Sequence, residues 1–196
     1  MTEPPLSEAE IIEAERELGV LLPEEYRTYL RDVSAGGALA RLMQTDRGWW
    51  WAGNDEERRA LLAVPFPHPD SYAQADDELM DREPRAESFR TERAYRSAWR
   101  RWDDEVGRFE DWKTAGAVVI QEHGCGFATL LVLTGPLAGT VWWDGRATCE
   151  RIVPLSLDHV GGAGPIRFGQ WLRHGSWALL PSDWGPSLPS APVIVR

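Results

Sequence analysis

The chain has 196 residues, 43% of them hydrophobic, and a net charge of -10; this suits one domain with a sizeable core and is short for two. An acidic balance argues against a surface built to grip phosphate backbones, and no apolar run approaches the ~20 residues of a membrane span. Eleven tryptophans are many for this length, and rings of that size are mostly buried or bound.

The first residues, Met1-Thr2-Glu3-Pro4-Pro5, are acidic where a signal peptide is basic, so the expected location is the cytoplasm. Two cysteines, Cys125 and Cys149, make no disulfide framework and would stay thiols in a reducing compartment.

Ser7 with Glu10 three residues on is a capping box, and Ile11, Ala14 and Leu18 follow on one face before Gly19. This predicts a helix over 7–18 whose outer side carries Glu8, Glu10, Glu13, Glu15 and Glu17 and is solvated and anionic. Pro23 suits the first turn of a second helix, with Tyr26, Tyr29, Leu30 and Val33 on one face and Gly36-Gly37 as its stop. From Arg41 to Glu87 the periodicity fails: Trp49-Trp50-Trp51 stands beside charge, residues 64–69 are rich in proline, and Asp76-Asp77-Glu78 is a short acidic run. Tyr95, Trp99, Trp102, Val106 and Phe109 are then spaced for one helical stripe, which predicts a helix over 88–110 with that stripe in the core.

After Gly116 the pattern turns to strands at 117–122, 127–133 and 140–143, with a fourth at 151–155. The connections, His123-Gly124-Cys125-Gly126 and residues 134–139, are short enough for antiparallel pairing only. A glycine-rich loop at 161–165 precedes a last helix with Phe168, Trp171 and Leu172 facing inward. The expected fold class is α+β: an antiparallel sheet of about four or more strands packed against N-terminal and C-terminal helices, with a long inserted segment carrying an extra helix. The expected organisation is one domain over 1–180, with the insertion at 41–115, and a proline-rich tail at 181–196 that is extended or disordered, or docks 193–195 as an edge strand.

The charge is unevenly placed. Residues 116–196 hold five acids and five arginines, leaving 26 acids against 16 basic residues in the first 115. An acidic front would attract a basic partner; the alternative is that the negative charge only keeps the protein soluble.

Candidate chemistry is sparse. His123 and Cys125 invite a nucleophile or metal reading, but glycines in a tight turn around a small side chain explain the same residues. No metal-ligand spacing joins them to Cys149, His159 or His174, and Gly161-Gly162-Ala163-Gly164 lacks the lysine of a phosphate loop. Asp76, Asp77, Glu78, Asp81 and Glu83 form neither a calcium loop nor a defined acid/base pair. No catalytic residue, cofactor or metal is expected.

Taken in order, the capped acidic helix, Leu18-Gly19-Val20-Leu21-Leu22-Pro23-Glu24-Glu25-Tyr26, Gly36-Gly37, Gly124-Cys125-Gly126, Thr134-Gly135-Pro136, Val141-Trp142-Trp143-Asp144 and Phe168-Gly169-Gln170-Trp171-Leu172 make a pattern. By it this chain resembles the SUKH superfamily of Smi/Knr-like proteins over residues 6–40 and 116–178. The departure is the long segment between them. The resemblance implies a helices-on-sheet α+β fold and a non-catalytic protein-binding role. Bacterial members are commonly immunity proteins that neutralise nuclease or deaminase toxins of polymorphic toxin systems, and fungal relatives are scaffolds in cell-wall signalling.

The expected partner is therefore a basic toxin domain, with no direct contact to nucleic acid or membrane. A regulatory scaffold without a toxin is the alternative, and an enzyme using Cys125 and His123 a second. Aromatic anchors ringed by acids would form the interface. The candidates are Trp49, Trp50 and Trp51 with Asp76, Asp77 and Glu78, then Trp142, Trp143 and Asp144, of which one tryptophan should face outward. The alternative for Trp49–Trp51 is that the inserted segment folds back and buries them.

Overall fold

The computed structural model describes residues 3–149, 151–159, 164–182 and 184. The expected loop at 161–163, most of the tail with its edge strand at 193–195, and the Cys149 side chain lie outside the described residues.

Helix α1 (Glu8–Leu18) is capped as its sequence requires: Ser7 Oγ accepts from the Glu10 amide, and the Glu10 carboxylate accepts from the Ser7 amide at 2.8 Å. That hydrogen bonding holds the Glu10 carboxyl below its ordinary value. Ile11, Ala14 and Leu18 are buried, and Gly19 closes the helix in the left-handed region. Helix α2 (Glu24–Asp32) begins after Pro23 and ends sooner than Gly36-Gly37 would suggest. Tyr26 and Leu30 are buried, whereas Val33 lies past the last helical turn and is exposed.

Strands β3 (Ala117–Gly124), β4 (Phe127–Val132), β5 (Val141–Asp144) and β6 (Ile152–Pro154) form a four-stranded antiparallel sheet in sequence order. Two bulges, between Val119 and Gln121 and between Glu122 and Gly124, shift the β3–β4 register. The open edge of β3 is covered: Ala40 donates to Ile120 O at 2.7 Å, and the Asn54 side-chain amide pairs with both backbone groups of Val119 at 2.8 and 2.9 Å.

The segment whose periodicity fails is nonetheless ordered. Strands β1 (Leu42–Thr45) and β2 (Gly48–Trp51) make a hairpin that sets Trp49-Trp50-Trp51 against α1. The Glu17 carboxylate accepts from the Trp49 amide at 3.2 Å, tying the hairpin to the helix. Short 3-10 turns at Glu56–Leu61 and Pro69–Ser71 lead to α3 (Ala73–Asp81) and then, after a third turn at Ala86–Ser88, to α4 (Glu92–Trp112). A short helix, α5 (Arg146–Cys149), joins β5 to β6. Helix α6 (Phe168–His174) buries Phe168 and Trp171 but leaves Leu172 exposed, contrary to the inward-facing trio its sequence suggests.

The sheet is covered on both faces, which decides the fate of Trp142 and Trp143. On one face Val118, Ile120, Leu131, Val141 and Trp143 join α1, α2, α6 and the tryptophan hairpin in the main core. On the other, Leu130, Val132 and Trp142 pack with Phe66 and Ile152. Phe66 comes from the proline-rich run, and its ring lies 5.3 Å from that of Trp142. Gly116 makes this approach possible: at φ +66, a Cβ there would collide with Thr134 and with the Val64 and Phe66 backbone.

Candidate partner-binding surface

The structure separates the residues nominated from sequence. Trp49, Trp50, Trp51, Trp142 and Trp143 are all 4% exposed or less. They are therefore core, and the expectation that one of Trp142 and Trp143 faces outward is corrected: alternation along the strand does send them to opposite faces, but each face is covered. Trp50 also stacks under the Arg59 guanidinium at 4.7 Å.

Asp76 and Asp144, 68 positions apart in sequence, are brought into one ionic chain. Asp76 pairs with Lys113 Nζ at 2.6 Å, and Lys113 pairs with Glu110 at 2.5 Å. Glu110 accepts from Arg146 at 2.9 Å, and Arg146 grips both oxygens of Asp144 at 2.6 and 2.9 Å. Burial by itself would lower the Arg146 pKa, but the hydrogen bonds and charges of Asp144 and Glu110 outweigh it and raise it. The chain clamps α3 and α4 to the corner after β5. Its three carboxylates are answered by two cations within the molecule, so Asp76 and Asp144 are engaged, while Asp77 and Glu78 stand exposed on α3. Sequence reading missed Lys113, Glu110 and Arg146, because the network joins three separate elements with no common spacing.

Helix α1 is likewise less free than its composition suggests. Glu8 and Glu15 pair with Arg27, and Glu15 also accepts from the Leu22 amide at 3.0 Å. Its outer acids thus serve the hairpin between α1 and α2 as well as the surface.

The aromatic stripe on α4 departs most from expectation: no residue of the helix is fully buried. Helix α3 spans nine residues and covers only the C-terminal part, where Trp102 Nε1 donates to Leu79 O at 2.9 Å and Tyr72 meets Phe109 and Trp112. Toward the N-terminus Tyr95 meets the ring of Phe89, and Trp99 is 36% exposed. The same turns hold a charge feature that the summed balance of the first 115 residues conceals. Residues 90–101 carry five arginines against Glu92 alone, and a local count would have found it.

His123 and Cys125 are not joined. Strand β3 ends at Gly124, which pairs with Phe127 across a two-residue loop of Cys125 (φ 51) and Gly126 (φ 79), both in the left-handed region that a tight hairpin turn demands. His123 Nε2 lies 2.7 Å from Thr129 Oγ1, which in turn lies 2.6 Å from Ser176 Oγ. The imidazole is packed against Trp143 and Trp177, and burial pulls its pKa below the ordinary value. No hydrogen bond links it to Cys125, which is exposed at the turn. Among the described residues no group of His, Cys, Asp and Glu is arranged to hold a metal ion, and no helix is long and apolar enough to cross a membrane.

The sequence matches the SMI1 / KNR4 family (SUKH-1) over residues 5–155, a span that takes in the helical hairpin and the Trp142-Trp143-Asp144 strand. The chain belongs to this family. The matched span takes in residues 41–115, set apart above as an insertion, and ends before α6 of this SUKH-1 chain. Comparisons with curated proteins and with solved structures returned no match.

Proposed function

We propose that this SUKH-1 protein is a non-catalytic binding domain acting as an immunity protein: in the cytoplasm of the producing cell it occupies a toxin domain of nuclease or deaminase type and blocks it. Membership of the family carries the reading. The exposed carboxylates of Asp77 and Glu78 on α3 support it, because a domain that grips phosphate presents a basic face for which an acidic surface can compete. The tryptophans of 49–51, 142 and 143 are core, and the contacts are made by exposed acids.

The test is survival. Where a toxin domain is encoded beside this chain's gene, cells expressing it should grow only when this chain is co-expressed. Reversal of Asp77 and Glu78 to lysine should slow association roughly tenfold at low salt and less at high salt. Absence of protection sinks the immunity reading and favours a regulatory scaffold; protection with an unchanged association rate removes the α3 acids from the interface.

A further inference from the structure

We propose that α4 is a homodimerisation helix: a second copy of this chain packs antiparallel along the seam Glu92, Arg96, Trp99, Asp103 and Val106, with the two-fold axis beside Trp99. The inference is independent of the toxin-binding reading.

Three observations carry it. The seam residues are spaced four, three, four and three, so they line one edge of the helix beside the aromatic stripe, as in a two-helix seam. That edge holds apolar surface the chain leaves open: Trp99 is 36% exposed, and Met80, 42% exposed, shares a groove with Val106. Trp is the residue type that most often anchors an interface.

The charge sequence then selects the occupant and its direction. Residues 90–101 have five arginines against one acid, and residues 103–111 have five acids against one arginine. A parallel copy would set like charge on like. An antiparallel copy sets the basic half of each helix over the acidic half of the other, twice, as a two-fold interface requires. Because the rest of the molecule carries the net negative charge, the arginine half of α4 is where a second acidic copy is attracted and not repelled.

The register follows from the axis. Trp99 meets Trp99 of the second copy, and Arg96 stands opposite Asp103 of the second copy. Glu92 faces the region of Val106 and Gly107, where no other described part of the chain lies within 4 Å of a Cβ built on Gly107 and a second helix has room to approach. Arg96 is bonded at 2.5 Å to Glu92, an exposed pair within one helix that is readily exchanged. Asp103 and Arg100 make no ion pair among the described residues.

Sedimentation velocity of the full chain, with circular dichroism confirming that each variant is folded, tests the proposal. At about 100 µM and low salt the chain should sediment as a dimer, and added salt should weaken it. Trp99→Ala, Arg96→Asp and Asp103→Arg should each raise the dimer Kd by about tenfold or more. The deciding measurement is a mixture of the Arg96→Asp and Asp103→Arg proteins. Each alone sets like charges at both pairings, but one copy of each restores both ion pairs, so the mixture should dimerise. A monomeric wild-type chain overturns the proposal and leaves the seam to an unlike partner. Single variants that stay dimeric, or a mixture that stays monomeric, overturn the interface or its antiparallel register.

Discussion

Trp51 Nε1 donates to the Tyr26 hydroxyl at 2.8 Å, joining the second helix to the tryptophan hairpin across 25 residues of sequence. Both side chains are 1% exposed, and burial raises the tyrosine pKa, keeping the hydroxyl neutral. Trp51→Phe should cost about 1–3 kcal/mol because it strips a buried hydroxyl of its partner, and Tyr26→Phe a similar amount. The double substitution should cost less than the sum, read from urea unfolding. Trp49 is the control. Its buried Nε1 has no acceptor among the described residues, so Trp49→Phe should be milder than Trp51→Phe.

Cys125 occupies a left-handed position that suits asparagine or glycine better than a residue without a local hydrogen-bonding side chain. Cys125→Asn should raise stability by up to about 1 kcal/mol, and Cys125→Val should lower it by about 1–2 kcal/mol. Thermal melts decide it. Destabilisation by asparagine would mean that the thiol itself contributes.

Lys113 has a side chain only 5% exposed, held between Asp76 and Glu110. Lys113→Met should destabilise by about 1–2 kcal/mol, less than a deeply buried pair would, since both acids are partly solvated. Replacing Asp76 with Asn as well should recover part of the loss. Urea unfolding of the three variants gives the comparison, and a Lys113→Met protein as stable as the parent would show that the clamp contributes nothing.

His123 makes stability depend on pH in a stated direction. Burial lowers its folded pKa below 6.5, so in mildly acid solution the unfolded chain binds more protons than the folded one. Stability contributed by the neutral imidazole is full above pH 6.5, falls as pH drops below it, and levels off once the folded pKa is passed. His123→Gln should flatten this part of the curve, measured as urea midpoint against pH. An unchanged slope would assign the dependence to other groups.

The local elements were legible because their causes are local. Ser7 and Glu10 close a box within one turn, Ile11, Ala14 and Leu18 define one helix face, and alternation with glycine turns marks the strands after Gly116. Order and spacing of those pieces carried the resemblance to the SUKH superfamily, and the match to the SMI1 / KNR4 family (SUKH-1) bears it out. What sequence could not settle was everything that depends on distant residues arriving together. Phe66 covers Trp142 across 76 positions, α3 stops short of Trp99, and Lys113 and Arg146 join Asp76 to Asp144, 68 positions apart. An aromatic stripe is the same stripe in sequence whether a neighbour covers it or solvent does. Only the packed structure decides which, because burial belongs to the neighbour as much as to the residue.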